Sequence, residues 1–326
     1  MAQQQEKIPL LVIAGPTASG KTALAIELAK AYGGEIVSAD SMQIYKGMEI
    51  ATAKPSPEEM QGIPHHLLGF LEPDQPFSVA EYVALAKQAV LDIHRRGRLP
   101  ILAGGTGLYI QSLVDGVEFS EEEKDDRVRR ELERRVEKEG AEKLLEELAG
   151  IDPEYAAKLH PNNKTRVIRA MEIYRKTGIT MTEHQRRSRR KPSEFHACML
   201  GLNFKDRSVL YSRIDRRVDE MAARGLVEEA RRVCGEKGIK TAFQAIGYKE
   251  LQAYFSGAVP LEQALETIKR ETRRYAKRQL TWFRRDPRIH WVYPDEWENF
   301  FKVVENAKKI IESSEILCYN KNNCLS

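Results

Sequence analysis

The first 114 residues alternate short apolar runs with amphipathic segments. Three apolar runs that end near glycine or polar residues predict buried strands: Ile8–Ala14, Glu35–Ala39 and Leu99–Ala103. Apolar residues at three- and four-residue spacing predict helices over 22–31, 79–96 and 107–114. Strands that alternate with helices predict an α/β fold, in which a parallel sheet has helices on both faces.

The pattern changes after about residue 117. Ser120–Glu147 is rich in charges of both signs and carries apolar residues at helical spacing, and no strand pattern follows before about Ala197–Leu202. We therefore predict a mainly helical insertion over 118–196, set in an α/β core made of 1–117 and 197–312. His184–Lys191, with five basic residues in eight, is predicted to be a loop or a frayed helix.

Beyond the insertion we predict a strand at Cys198–Leu202, long helices to about Arg285, a strand at Ile289–Tyr293 and a closing helix over Trp297–Glu312. The polar residues 313–326 are predicted to form a disordered tail.

Composition restricts the class of protein. The chain has 326 residues, of which 42% are hydrophobic and 31% charged, and no apolar run reaches the roughly 20 residues that cross a bilayer. The four cysteines form no C-x-x-C pair, so neither a disulfide framework nor a zinc site is indicated. We expect a reduced, cytoplasmic monomer with no membrane partner. The net charge of +4 is too balanced to indicate a nucleic acid by itself.

A phosphate-binding loop follows the first predicted strand. Its residues fit G-x-x-x-x-G-K-[ST] and lie between a strand and a helix, as that motif requires: Gly15, Pro16, Thr17, Ala18, Ser19, Gly20, Lys21 and Thr22. The glycines let backbone N–H groups and the helix N-terminus face a phosphate. Lys21 adds a positive charge, and the Thr22 hydroxyl can bind Mg²⁺. The motif indicates a P-loop enzyme without specifying its phosphate compound.

Two further residues follow predicted strands. Because the carboxyl ends of parallel strands face the ligand crevice, Asp40 and Thr106 should lie near the P-loop. Asp40 could bind magnesium, accept a proton from a nucleophile, or cap the next helix. Thr106, in Gly104–Gly107, could cap its helix or contact a ligand.

Basic residues are concentrated near the C-terminus. Lys269–Arg288 contains nine basic and two acidic residues, and this could be a solvated face or a surface for a polyanion. Arg213 and Arg217 are four residues apart, so they share a helix face and could clamp one phosphate.

Several stretches together resemble one enzyme family, bacterial tRNA dimethylallyltransferase, also called tRNA isopentenyltransferase. They are GPTASGKT, VSADSMQIYKGMEIATAKP (37–55), PHHLLG (64–69), PILAGGTGLYI (100–110) and RYAKRQLTWFRR (274–285). They occur in the family's order and span nearly the whole chain. The P-loop is shared by many nucleotide enzymes, whereas D-S-x-Q-x-Y-K-G and G-G-T-G-L-Y are much more specific.

The resemblance implies a reaction and a set of site residues. The exocyclic N6 of the adenosine 3′ to the anticodon, in tRNAs that read codons beginning with U, would attack C1 of dimethylallyl diphosphate. The P-loop would hold the diphosphate instead of ATP, with Mg²⁺ at Thr22. Asp40 would be the general base, Thr106 would lie beside the reaction channel, and Arg217 and Arg213 would steady the leaving diphosphate.

The resemblance also implies contacts to the tRNA. Ser41, Met42 and Gln43 would line the entry of the target base, next to Asp40 and Thr106. The anticodon stem-loop would meet the insertion at Arg129, Thr165, Arg166, Val167, Ile168 and Arg169.

Three other functions are compatible with parts of the pattern. A P-loop kinase for a small metabolite would not need the basic Lys269–Arg288 segment. An isopentenyltransferase that acts on free AMP or ATP would not need the insertion. A non-catalytic RNA-binding module would need neither the P-loop nor Asp40.

Overall fold

The computed structural model describes residues 7–119, 126–235 and 244–317. Its sheet has six parallel strands in the order β3-β2-β4-β1-β5-β6. The strands are β1 (Ile8–Ala14), β2 (Gly34–Ser38), β3 (His65–His66), β4 (Leu99–Gly104), β5 (Phe195–Leu202) and β6 (Ile289–Val292). The predicted α/β fold with a parallel sheet is confirmed. The two-residue edge strand β3 was not predicted, because it is too short to show a pattern of its own.

Helices follow most of the strands. In chain order they are α1 (Lys21–Tyr32), α2 (Pro57–Met60), α3 (Val79–Arg95), α4 (Gly107–Val114), α5 (Arg127–Glu139), α6 (Ala141–Ile151), α7 (Pro153–Ala156), α8 (Lys164–Thr177), α9 (Met181–Arg187), α10 (Arg207–Ala223), α11 (Leu226–Gly235), α12 (Tyr248–Phe255), α13 (Leu261–Phe283) and α14 (Phe300–Ser313). A short 3-10 helix, Pro294–Glu296, precedes α14. No helix in the described part of the chain is long and apolar enough to cross a bilayer.

The central strand β1 is buried on both faces, so its residues are apolar without alternation. Leu10 and Val12 face a cluster formed with α3 and α4, and Leu11 and Ile13 face a cluster formed with α1 and α14. A third cluster joins the segment after β2 to α11, α12 and α13. Helices therefore cover both faces of the sheet, as the sequence predicted.

The strand order places three loops side by side. β2, β4 and β1 are neighbours, and their carboxyl ends lead into Asp40, Thr106 and the P-loop. At the end of β4, a Cβ on Gly104 would lie 2.2 Å from the Ala39 carbonyl oxygen, so only glycine allows the two loops to approach this closely.

The chain divides into two compact units. One comprises 1–114 and 194–326, and the other comprises 115–193, where the sequence predicted 118–196. The smaller unit contains α5 to α9 around its own core, to which Leu132, Leu144, Val167 and Met171 contribute. The described residues of this unit form helices and the turns between them. Ser120–Asp125, at the start of the segment predicted to be helical, lie outside the described residues.

One local prediction agrees with the structure and another is corrected. His184–Lys191, predicted to be a loop or a frayed helix, is the last turn of α9 followed by a turn from Ser188. The Thr180 side chain accepts the Glu183 N–H as the N-cap of this helix. The predicted disordered tail is ordered as far as Leu317, since Ile316 is completely buried against the cluster that contains α1 and α14. Residues 318–326 of that tail, and 236–243 of the predicted long helices, lie outside the described residues.

Candidate active site

The P-loop has backbone angles that its glycines explain. Gly15 has φ 149° and Gly20 has φ 95°, and a Cβ on Gly15 would lie 2.7 Å from the Leu202 carbonyl oxygen. Ala18 also has a positive φ, 61°, which is uncommon outside glycine. The loop therefore wraps tightly between β1 and the N-terminus of α1, where N–H groups and the helix dipole favour an anion.

Lys21 lies in a desolvated, electropositive position. Its Nζ donates a hydrogen bond to the Pro16 carbonyl oxygen, 2.6 Å away. Burial and the nearby Arg217 lower the pKa of Lys21 to about 7, and the negative charge of Asp40 opposes this shift. An anionic ligand in the loop would reverse the shift and hold Lys21 protonated.

Ser19 and Thr22 place hydroxyl groups in the same loop. Ser19 is 2% exposed, and its Oγ has no hydrogen-bond partner within the residues that the structure describes. Thr22 is exposed in the first turn of α1. A buried hydroxyl without a protein partner is costly unless a ligand or water completes its hydrogen bonds.

Asp40 is bonded to the turn that follows it, and this leaves one of its oxygens uncommitted. Oδ1 accepts the N–H groups of Met42 at 2.9 Å and Gln43 at 3.3 Å. Across the described ranges, Oδ2 has no hydrogen-bond donor. The carboxylate interacts electrostatically with Lys21 and Arg217. Asp40 thus caps a turn and not the next helix, which was one of the alternatives, and its charge also acts on the phosphate site.

Thr106 links the third loop to the Asp40 turn. Its Oγ1 accepts the Ser41 N–H at 3.0 Å, and its own N–H donates to the Ala39 carbonyl oxygen at 3.0 Å. Its carbonyl oxygen accepts the N–H groups of Tyr109 and Ile110, which begins α4. Thr106 therefore both begins helix α4 and lies beside the turn that carries Asp40.

Gln43 and Glu229 hold the segment after Asp40 in place. The Gln43 amide donates to the carbonyl oxygens of Thr52 and Ala53, both at 3.2 Å. The buried Glu229 carboxylate on α11 accepts the N–H groups of residues 49, 50 and 51 at 2.8–2.9 Å. Sequence reasoning missed Glu229, because nothing in the sequence relates α11 to a turn about 180 residues earlier.

The two arginines of α10 lie near the P-loop. Arg213 donates from Nε to the Ala18 carbonyl oxygen at 2.9 Å, and its guanidinium lies 5.5 Å from the centre of the Phe204 ring. Burial lowers the pKa of both Arg213 and Arg217, and Asp40 partly offsets this shift for Arg217. These two side chains add positive charge next to Lys21.

Helix α13 contributes a buried glutamine to the site. Gln279, 6% exposed, accepts the Thr17 N–H at 3.0 Å and donates to the Gly105 carbonyl oxygen at 2.9 Å. Its helical spacing from Tyr275 and Trp282 indicates burial. Because a buried amide needs hydrogen-bond partners, this glutamine could have been recognised from the sequence as a residue that bonds to another element.

The basic segment of α13 is partly neutralised. Arg273 pairs with Asp215, Lys269 with Asp219 and Glu266, and Arg274 with Glu271. The positive charge available to a polyanion, one of the two alternatives, is therefore smaller than the sequence suggested, because acidic residues of α10 and α13 lie beside it.

The residues predicted to contact tRNA in the insertion fall into two groups. Thr165 and Arg166 are exposed at the start of α8, and Arg169 and Arg129 lie 3.1 and 3.7 Å from the buried carboxylate of Glu172. Val167 and Ile168 are buried in the core of the insertion. Because they belong to the apolar face of α8, a tRNA contact is not available to their side chains.

The site suits a magnesium ion that is held mainly by phosphate. The described residues contain no group of three or more His, Cys, Asp or Glu side chains that could hold a metal. Magnesium in phosphate sites commonly takes one or two protein oxygens, with phosphate oxygens and water completing its octahedron. The exposed Thr22 hydroxyl at the loop fits this requirement.

Comparisons with known proteins agree with this geometry. The family model described as IPP transferase matches residues 43–286. The tRNA dimethylallyltransferase of Geobacillus thermodenitrificans is 51% identical over 304 residues, which covers 93% of this chain and 96% of that protein. The enzyme of the same name from Bacillus subtilis is 48% identical over 287 residues, with 87% and 90% covered.

Solved structures show the same relationship. A full-length tRNA isopentenylpyrophosphate transferase from Bacillus halodurans superimposes with a TM-score of 0.72 at 43% identity, and 97% of this chain and 99% of that chain are covered. A eukaryotic dimethylallyltransferase described as acting on tRNA gives a TM-score of 0.79 at 30% identity, over 95% of this chain and 79% of that one. The chain therefore belongs to the IPP transferase family.

Proposed function

We propose that this chain is a tRNA dimethylallyltransferase. It transfers the dimethylallyl group of dimethylallyl diphosphate to N6 of the adenosine 3′ to the anticodon, in tRNAs that read codons beginning with U, and releases diphosphate. The proposal rests on one observation above all: a carboxylate, Asp40, lies beside a phosphate loop whose Lys21 and arginines are already desolvated.

The P-loop residues Gly15–Thr22 bind the diphosphate and stabilise the charge that develops on it as the bond to C1 breaks. Hydrogen bonds hold Lys21 and Arg213 in place before the reaction, so these groups need little reorganisation in the transition state, and Arg217 adds positive charge next to Lys21. A magnesium ion bound by Thr22 and the diphosphate would supply further positive charge at the leaving group.

Asp40 removes the proton from N6. The N6 lone pair is delocalised into the adenine ring, so N6 is a weak nucleophile and gains from a base that takes its proton as the C–N bond forms. The Asp40 Oδ1 is occupied by two backbone N–H groups, which orients the carboxylate and leaves Oδ2 for the proton. Thr106, tied to Ser41, is positioned to contact the same nucleotide.

The target adenosine leaves its stack to reach the half-buried Asp40 carboxylate. Ser41, Met42 and Gln43 line its entry, and the fixed amide of Gln43 keeps this turn in shape. The exposed residues Thr165 and Arg166, with Arg129 and Arg169, bind the anticodon stem-loop through its phosphates.

We further propose that the enzyme works as a monomer in the cytoplasm. The P-loop, Asp40, Thr106 and the α10 arginines all come from one chain, so a second copy is not required to complete the site. The mass of the purified protein, measured by sedimentation with and without tRNA, tests this proposal, and we expect one copy of the chain in both cases.

Incubation of the purified protein with radiolabelled dimethylallyl diphosphate, Mg²⁺ and unmodified tRNA tests the function directly. We expect label in the RNA, at one adenosine after nuclease digestion, without any need for ATP. A reaction that consumes ATP would support a kinase, and label on free AMP in preference to tRNA would support an enzyme for nucleotides. Either result would overturn the proposal.

A further inference from the structure

One buried amide joins the two loops between which the reaction takes place. Gln279 Oε1 accepts the N–H of Thr17, in the P-loop, and Gln279 Nε2 donates to the carbonyl oxygen of Gly105, in the loop after β4. Both distances, 3.0 and 2.9 Å, are those of good hydrogen bonds. The side chain is 6% exposed and lies at neither end of α13, so it does not cap the helix.

The loop after β4 is adapted to this contact. A Cβ on Gly105 would lie 2.2 Å from Gln279 Nε2, and a Cβ on Gly107 would lie 2.3 Å from Cδ1 of Trp282. Any larger residue would push α13 away and break the amide bridge. Gln279 and Trp282 are three apart, so they form one face of α13 that lies directly on this loop.

Tyr275, one turn before Gln279, extends the same face to Thr106. Burial raises the pKa of Tyr275, and the side chains of Gln279 and Thr106 act in the opposite direction. Thr106 in turn accepts the Ser41 N–H, next to Asp40. The bridge from Thr17 to Gly105 therefore ends next to Thr106, which is itself bonded to the turn that carries Asp40.

We propose that Gln279 is a positioning residue, which fixes the distance between the P-loop and the Gly104–Gly107 loop. Given the transfer reaction proposed above, this distance sets the approach of N6, held beside Thr106 and Asp40, to C1 of the prenyl group on the diphosphate. Gln279 touches neither the substrates nor the reacting atoms.

A positioning role affects the rate more than the affinity. Each substrate keeps its own contacts when the bridge is lost, but a shift of about 1 Å in the reacting atoms can cost about 10²-fold in rate. A residue that merely supports the P-loop would instead lower diphosphate affinity and rate together.

Two variants of Gln279 separate these roles. Gln279→Met keeps the length and removes both hydrogen bonds, and we expect a single-turnover rate about 10²-fold lower with little change in the Kd of dimethylallyl diphosphate or tRNA. Gln252→Met, the same change at a half-buried glutamine of α12, is the control and should leave the rate unchanged. Thermal unfolding of each variant checks the fold.

Gln279→Glu keeps the acceptor for Thr17 and loses the donor to Gly105 while the carboxyl is ionised. A protonated carboxyl can donate again, so the rate of Gln279→Glu relative to the wild type should rise as the pH falls. Gln279→Met should show no such recovery. This readout remains available if Gln279→Met fails to fold.

Hydrogen exchange tests the bridge without the transfer reaction. Inorganic diphosphate at saturating concentration with Mg²⁺ should slow amide exchange in residues 104–110 of the wild-type protein, and this protection should be lost in Gln279→Met and, at neutral pH, in Gln279→Glu. A wild type that binds diphosphate but transfers no label would refute the proposed function alone. Equal protection or equal single-turnover rates in wild type and Gln279 variants, or a parallel loss of diphosphate affinity in the uncharged Gln279→Met variant, would overturn the positioning role.

Discussion

Asp40→Asn changes one property of the site and preserves the rest. The asparagine Oδ1 can still accept the N–H groups of Met42 and Gln43, so the turn after β2 keeps its shape. The atom that changes is Oδ2, which becomes an NH₂ group and can no longer take up a proton.

The size of the effect follows from which interactions are lost. No protein donor within the described ranges bonds to Oδ2, so its replacement leaves no broken hydrogen bond to weaken the fold. General-base catalysis contributes about 10²–10⁴ in rate, or about 2.7–5.5 kcal/mol of transition-state stabilisation. We therefore expect kcat to fall by that factor.

Diphosphate affinity should survive the substitution. The Asp40 charge repels the diphosphate, and its loss favours binding. The same charge raises the pKa of Lys21, so its loss also leaves Lys21 less protonated, and this opposes the first effect. The weaker repulsion and the lower protonation of Lys21 act on diphosphate binding in opposite directions. We therefore expect the Kd of dimethylallyl diphosphate to change much less than the rate.

The assay measures the single-turnover rate separately from the two Kd values. Asp74→Asn, at an exposed aspartate between β3 and α3, is the control for loss of one negative charge and should behave as wild type. An unchanged single-turnover rate in Asp40→Asn would refute the base role. Weak magnesium binding, with the rate restored by excess metal, would instead make Asp40 a metal ligand.

Three further predictions concern charge. Lys21→Met should abolish most transfer while the protein stays folded. The pKa of Lys21 is about 7, below the unfolded value of 10.5, so the free energy of unfolding of the wild type should rise with pH between these two values. Urea titrations that give the same pH dependence for Lys21→Met would contradict this. Arg96 lowers the pKa of Glu35 to about 2, so Glu35→Gln should lower the free energy of unfolding at pH 7 by up to about 3 kcal/mol. Solvent screening at the exposed Arg96 reduces this value. This stabilisation is present above pH 4.5 and is lost as the pH falls toward 2, so an equal difference between wild type and variant at pH 7 and pH 2 would disprove it. Arg166→Ala should reduce the slope of log tRNA affinity against log salt by about 1, whereas Lys143→Ala on α6 should not; equal slopes for both variants would exclude a phosphate contact at Arg166.

Local patterns were sufficient for the elements around the site. The P-loop could be located from its residues, since the motif combines a strand, glycines with unusual φ and a helix N-terminus within a short stretch. Asp40 and Thr106 could be placed near it because parallel strands direct their carboxyl ends to one edge. Arg213 and Arg217 shared a face by helix spacing alone.

Relations between distant segments could not be predicted. Glu229 and Gln279 form their hydrogen bonds to backbone groups about 180 and 260 residues away, and a backbone amide carries no sequence signature. The burial of Val167 and Ile168 is a similar case, because a motif that spans Thr165–Arg169 does not show which residues of the helix face the core.

The amino-acid sequence by itself determined the α/β class, the phosphate loop and the family, because these depend on periodicity and on residues close together in the chain. The tertiary structure alone decided which charges are neutralised, which carboxylates hold the loops, and how α13 bridges the P-loop to the Thr106 loop. These features depend on packing between elements far apart in the chain, where each buried polar group must find its partner in space.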